Sequence, residues 1–440
     1  EITKRAITIK ANDASKPYDT LPLTNDTYTI TSGTLAQGHK ETVTISGTIT
    51  NVGSVPNTIT NVVIKDASGK EVTANYDITK VAGTLTITSA SSVDFDITLD
   101  NDTFEYDGTE KKPTATVKAG TTTLKEGTDY DVSYKDNKDA GTATITITGK
   151  GNYEGSIGTK EFTITKRKIT ITAGSTEKIY DGNELTSDKY EITSGSLAAG
   201  QELVATTSGS ITNVGTIPNK IATYKITVKG TSEDVTKNYD VTTVDGTLEV
   251  TNATITGSVT ITGTNTYGET LTASVTTVPT GCTLTYNWYY ATSATATTGT
   301  SMGTGSTVVL NDSAYVGKYI FVVVTASKAN YNDATFSDRA DAANNGSDVV
   351  RKIDITPEVS MIGYTYGDTK NDPTISGNIG NGTVTYYYNT TNSNANGTNW
   401  DTVTSSTSLN AGTYYMYAVV SATANYNGAT TAAVPFIIAK

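Results

Sequence analysis

The chain has 440 residues, and threonine fills about a fifth of it, with 27 Tyr and 39 Gly against 6 Phe, 3 Met and 2 Trp; that balance favours strands and turns and excludes a helical bundle. The formal charge of -12 comes from scattered carboxylates with no basic block to neutralise phosphates, which excludes nucleic acid as a partner. A lone Cys282 excludes an internal disulfide framework, and no apolar run is long enough to span a bilayer, so small β modules held by packing, without membrane insertion, are expected.

Five such modules follow one another, each marked by the same landmarks in the same order. The first, residues 1–89, opens on Ile7 and Ile9 and closes on Leu85 and Ile87, an alternation with period two that reads as half-buried strands. Between these edges stand Tyr18-Asp19, then Gly53 after a branched residue, then Asn75-Tyr76. The second, 90–165, carries Tyr106-Asp107-Gly108, Gly141 and Asn152-Tyr153, with Ile145 and Ile147 of ATITIT facing inward. The third, 166–252, repeats the first almost without gaps. Tyr180-Asp181-Gly182, TSG at 193–195 and ITNVG at 211–215 each lie 162 residues beyond their counterparts, and Tyr239 follows one inserted residue later. The direct passage FTITKRKITIT has no Gly/Ser linker, so a stiff joint is expected between the second and third modules.

The fourth module, 253–350, carries Tyr267-Gly268, Gly317 and Tyr331. Its LTYNWYY places Trp288 in a strand, and NDSAYVGKYIFVVV sets Tyr319 ahead of a buried-looking strand. Immunoglobulin-type sandwiches place a core tryptophan and a tyrosine corner in this way. The fifth, 351–440, follows the looser AANNGSD and carries Tyr366-Gly367, Gly412 and Tyr426. The fold class expected is all-β: five small domains in tandem, Ig-like sandwiches with the fourth clearest, and a β-grasp-like fold as the alternative for the first, third and fifth. An elongated monomer follows from that reading, as does an internal portion of a longer protein, since neither a signal peptide nor a sorting tail is present.

A reaction centre is normally built once, whereas a bend is needed in every domain. The repeated Tyr-Asp-Gly is therefore read as a bend. The ring packs at a strand end, the Asp bonds the backbone just beyond it, and Gly accepts positive φ. Thr20 stands where that glycine is expected, so the first bend is expected to use a different turn type.

No catalytic residue is assigned, and the chain is not expected to be an enzyme. His39 is the only histidine, and Gln201 occupies its place in the third module, so it reads as a solvated turn residue. Zinc is excluded by the count of Cys and His. Calcium is weighed at Asp136, Asn137 and Asp139 of KDNKDAG, but the spacing does not match a dedicated loop and such residues favour turns, so no cofactor is expected. Sugars stack on exposed rings, which makes Tyr289, Tyr387 and Trp400 the candidate ligand-binding residues, with Trp400 expected outward in the loop-like GTNWDT.

At these landmarks the chain resembles a known group. Modules one and three, through Tyr18-Asp19 and Tyr180-Asp181-Gly182, are similar to the YDG-type repeats of bacterial surface proteins. Module five, through Tyr366-Gly367, AGTYY and Asn425-Tyr426, resembles the related MBG repeats of the YG type; modules two and four resemble bacterial Ig-like modules. The resemblance implies an extracellular, cell-wall-attached protein of Gram-positive bacteria, a stalk holding a terminal adhesive region away from the cell. Its partners would be the neighbouring domains of the same protein and, in the alternative reading, glycans or mucins bound by the last two modules.

Overall fold

The computed structural model describes residues 1–90, 92–405 and 408–440. Strands dominate, and the longest helix among the described residues is the four-residue Ala342–Asn345. A β-grasp needs a helix for its sheet to close on. That alternative is therefore replaced by small sheets packed in pairs around isoleucine and valine side chains. By its contacts the chain divides into two compact units, one of Glu1–Thr176, Thr186–Ser210 and Ile217–Leu248, the other of Glu177–Leu185, Ile211–Thr216 and Glu249–Lys440.

In the first unit, strand Arg5–Ala11 lies between the antiparallel Tyr28–Ser32 and the parallel Tyr76–Val81. The second sheet runs in the order Ala14–Pro17, Gly83–Thr88, Gly53–Lys65, Lys40–Ser46. Ile7, Ile9 and Ala11 meet Ile59, Val62 and Ile64 between the sheets, while the intervening Thr8 and Lys10 point away, as the period of two requires. In the next module Gly141–Gly149 pairs with Tyr130–Lys135 on one side and Ile157–Thr165 on the other, placing Ile145 and Ile147 in the core. Arg167–Ala173 then repeats the opening of the chain, antiparallel to Tyr190–Ser194 and parallel to Tyr239–Val244. Modules two and three do not keep separate interiors. One hydrophobic cluster runs through both, with Tyr106 and Tyr239 buried where they meet.

In the second unit, Thr283–Ala291, Tyr319–Ser327 and Ala334–Arg339 form adjacent antiparallel strands facing the sheet of Thr256–Thr262, Thr270–Val278 and Thr307–Val309. Trp288 is fully buried opposite Val322 and donates its indole N–H to Gly305 O at 2.9 Å, the core position expected of it. Tyr319 does not take the corner role. Its neighbours Ile320 and Val322 fill the core, its own ring is half-buried outside that cluster, and Tyr315 of the preceding turn packs on Tyr290 instead.

Two further expectations are corrected in the last module and the first. Trp400 is 1% exposed, on a short 3-10 turn, edge-on to both Tyr388 and Phe436 with the Lys370 ammonium over its ring. Burial of the ring offsets the cost of its Nε1–H, which has no hydrogen-bond partner among the described residues, and the buried indole is unavailable to a ligand. Thr20 has φ 71°, against 82°, 81°, 86° and 96° at Gly108, Gly182, Gly268 and Gly367. The first bend is thus the same turn, carried by a residue that bears its strain. Thr20→Gly should raise the first module's stability by about 1 kcal/mol and Gly182→Val should lower the third's by about 1–3 kcal/mol, both read from urea denaturation. No atom lies within 4 Å of a Cβ built at Gly182, so that loss comes from backbone conformation and not from a clash.

Candidate functional site: the tyrosine joints

Each Tyr-Asp or Tyr-Gly corner is held at the point where the chain leaves its module. The tyrosine backbone N–H donates to a carbonyl of the closing segment: Tyr18 to Thr88 and Tyr106 to Thr165 at 2.9 Å, Tyr180 to Thr251, Tyr267 to Arg351 and Tyr366 to Ala439 at 2.8 Å. Within the corner the Asp carboxylate accepts the N–H two residues on, from Leu21 to Asp19, Thr109 to Asp107 and Asn183 to Asp181 at 2.9–3.0 Å. This is the local bonding expected of it. A lysine two residues before the tyrosine completes the clamp. Lys16 bonds Asp19 and Leu21 O, and Lys178 bonds Asp181 and Asn183 O, at 2.7–2.9 Å.

The Asn-Tyr landmark lies at the opposite end, where the chain enters. The carbonyl of its asparagine accepts the N–H of the module's opening residue: Asn152 from Ala90 at 3.1 Å, Asn330 from Ala253 at 3.0 Å and Asn425 from Ile353 at 2.9 Å. Exit corner and entry tyrosine therefore meet wherever one module follows another. In the first unit Tyr18 packs on Tyr153 and Tyr106 on Tyr239, both at 5.7 Å between ring centroids and 77–81° between planes. In the second unit Tyr180 packs on Tyr331 at 5.5 Å and Tyr267 on Tyr426 at 6.2 Å. Such edge-to-face pairs contribute about 0.5–1.5 kcal/mol beyond their burial.

The third landmark closes the joint. The residues before Gly53, Gly141 and Gly215 are Val52, Ala140 and Val214; their backbone N–H groups donate to the side-chain oxygens of Asn152, Asn238 and Asn330 at 2.8–2.9 Å. The same three amides donate in return to Asn51, Asp139 and Asn213 at 2.9–3.2 Å. The fourth joint departs from this plan. Val316 N–H turns back to Ser313 O, and the buried Asn425 Oδ1 has no hydrogen-bond partner among the described residues.

The joint of Tyr106 and Tyr239 carries the fullest network. Tyr239 O–H accepts from Ala198 N–H at 2.8 Å and donates to Gln201 Oε1 at 2.6 Å, while Gln201 Nε2 donates to Tyr106 O–H at 2.7 Å. Arg167 pairs with Glu105, just before Tyr106, at 3.2 Å, and Lys237 with Asp139 at 2.8 Å. Burial raises the phenol pKa of Tyr239. Burial and the adjoining Tyr18 push Tyr153 up to about 12, so both hydroxyls stay neutral and able to donate.

The corner carboxylates move the other way. Lys178 and the Asn183 N–H hold Asp181 at about 2. At Asp107 burial works to raise the pKa, but Lys111 and the Thr109 hydroxyl and N–H outweigh it and bring it to about 2.

The residues singled out from sequence fall into two groups. Tyr18, Tyr106, Tyr180 and Tyr267 lie in joints, and the Tyr-Asp-Gly bend is also a contact surface. Tyr289, Tyr387 and Trp400 are not brought together: Tyr289 stacks on Phe321 at 5.2 Å in one module and Tyr387 on Tyr417 at 5.4 Å in another, while Trp400 is internal. His39 is no solvated turn residue, because its Nδ1 lies 2.8 Å from the Tyr76 hydroxyl. Of the calcium candidates, Asp139 is bound to Lys237 and Asn238, and Asn137 Nδ2 donates to Lys111 O. Among the described residues no three His, Cys, Asp or Glu side chains converge as metal ligands would. The spacing Lys-x-Tyr-Asp, shared by modules one and three, was the sequence signal for the clamping lysines.

No protein-family model and no curated protein matches the sequence. Among solved structures the chain is similar to the extracellular domain of protocadherin gamma-B4 at 10% identity, covering 100% of this chain and 85% of that one with a TM-score of 0.22. Extracellular cadherin domains 1–5 of protocadherin gamma-B2 match at 9%, covering 88% and 86% with a TM-score of 0.22. Three N-terminal domains of the highly immunogenic outer capsid protein of bacteriophage RB49 match at 11%, covering 76% and 96% with a TM-score of 0.18. Values in this range assign no family.

Tyr106→Phe should lower stability by about 1–3 kcal/mol through the unpaired Gln201 amide, and Gln201→Leu, which takes the acceptor from the Tyr239 hydroxyl, should lower it further; equilibrium urea denaturation reads both. Because Asp107 and Asp181 have folded-state pKa values below the ordinary 3.8, their stabilisation is complete above about pH 4 and is lost as pH falls toward 2. Thermal melts should be flat from pH 7 to about 5 and decline below 4, less steeply in Asp107→Asn/Asp181→Asn.

Proposed function

We propose that the chain is a spacer segment of an extracellular bacterial surface protein of the YDG and MBG repeat kind. Its modules would set the distance between a cell wall and a terminal binding region. The observation that carries this reading is the joint: the same corner, asparagine and tyrosine recur at four module boundaries, and in three of them a pair of amide bonds fixes the rings. A protein selected for turnover concentrates its polar constraint in one cleft. Here that constraint is distributed over boundaries, where it limits rotation of one module against the next. The only histidine and the corner carboxylates are committed to tyrosine and backbone partners. No helix of the described residues is long and apolar enough to cross a membrane.

The glycan-binding alternative asks for open aromatic faces. Tyr289 and Tyr387 each have one face covered by a neighbouring ring and Trp400 has none free, which favours the spacer.

A compact 440-residue globule would have a radius of gyration of about 22 Å. Small-angle scattering of the chain should give a value well above that, as a monomer, and a glycan array should show no binding. A radius near 22 Å, or glycan binding lost in Tyr387→Ala, would overturn the spacer reading.

A further inference from the structure

The first module carries the same entry face that the third module uses in its joint. Ala36, His39 and Tyr76 stand where Ala198, Gln201 and Tyr239 stand in the third module. Their bonding is the same: Ala36 N–H donates to the Tyr76 hydroxyl at 2.9 Å, and that hydroxyl lies 2.8 Å from His39 Nδ1. When the Tyr76 hydroxyl gives its proton to Nδ1, as Tyr239 gives its own to Gln201 Oε1, the His39 ring is in the tautomer that matches the third module. The remaining proton of a neutral imidazole is then on Nε2. His39 thus presents the acceptor and donor pair that Gln201 uses to join Tyr239 to Tyr106.

Three further features correspond to the docked joint. Arg5 Nη2 bonds Thr34 Oγ1 at 3.1 Å, as Arg167 Nη2 bonds Ser196 Oγ at 2.8 Å, but the carboxylate that Glu105 gives Arg167 has no counterpart at Arg5 among the described residues. Asn238 is fully buried by its two bonds across the joint, whereas Asn75 is exposed. Ile2, which aligns with the buried Ile164 at the end of the preceding module's last strand, is fully exposed.

We propose that this face, formed by Arg5, Ala36, His39, Asn75 and Tyr76, is a docking site for an adjoining β repeat that presents a Glu-Tyr-Asp-Gly corner. The glutamate pairs with Arg5, the tyrosine ring packs edge-on to Tyr76 and its hydroxyl accepts from His39 Nε2. Charge selects among corners. Glu105-Tyr106-Asp107-Gly108 has the acid before the tyrosine, whereas Thr365-Tyr366-Gly367 lacks it although its ring is half exposed. Docking of the last module of a second copy is therefore disfavoured, and a corner of the second module's kind is the match.

The site is tested by adding a second copy of residues 90–165 ahead of residues 4–440, with Thr165 running directly into Lys4, which restores the Thr-Lys-Arg sequence of the native joint. Nuclear Overhauser contacts are expected between the added corner tyrosine and Tyr76, together with a raised urea midpoint for the first module. Both should vanish with Tyr106→Ala in the added copy and with His39→Leu, and survive His39→Gln. Glu105→Gln in the added copy should weaken docking and remove its salt dependence. Absence of ring contacts with an unchanged midpoint, or equal tolerance of His39→Leu and His39→Gln, would overturn the proposal. The inference rests on the spacer reading for its context only: an extended chain without docking sinks this site alone, and docking in a chain with a compact radius of gyration sinks the spacer reading alone.

Discussion

One backbone hydrogen bond governs the rest of the arrangement. In every module the corner tyrosine gives its N–H to a carbonyl of the closing segment, so the ring is fixed at the exit, where the next module begins. At the other end the asparagine before each entry tyrosine accepts from the opening residue in modules two, four and five. Two local bonds thereby bring residues far apart in the sequence into ring contact, such as Tyr18 with Tyr153 and Tyr180 with Tyr331. No flexible linker has to be ordered at such a boundary, which keeps the entropy cost of fixing it small.

Within the joints the chemistry suits persistence more than exchange. The edge-to-face rings exclude water, the asparagine amides satisfy backbone groups that the boundary would otherwise leave unpaired, and charged pairs such as Lys237 with Asp139 lie at the rim. Exposed pairs of that kind contribute little by themselves. The rings and amides carry the contact. The fourth joint, with Asn425 Oδ1 unpaired in its buried position, lacks that amide bond and is the weakest of the set on this count.

Much of the fold was legible because period-two alternation is a direct consequence of strand geometry, and Ile7, Ile9, Ile145 and Ile147 all face inward as that pattern requires. The landmarks were visible too, but their meaning was not. A glycine needing positive φ looks the same whether it ends a strand or shapes a contact, and nothing local to Tyr18 announces Tyr153. Trp400 misled because its flanking Gly, Thr and Asn have the composition of a loop, while its burial is set by Tyr388 and Phe436 from distant strands. Thr20 misled in the other direction, since backbone bonds to Thr88 and Asp19 impose the turn despite the side chain. The clamping Lys16 and Lys178 could have been found from their common spacing to Asp.

The central claim is that each corner tyrosine is energetically coupled to the entry tyrosine of the following module. A double-mutant cycle on Tyr18 and Tyr153, each replaced by leucine in the full chain and followed by urea denaturation, measures that coupling alone. A coupling of about 0.5–1.5 kcal/mol is expected. Additive losses, with a coupling of zero, would contradict the account.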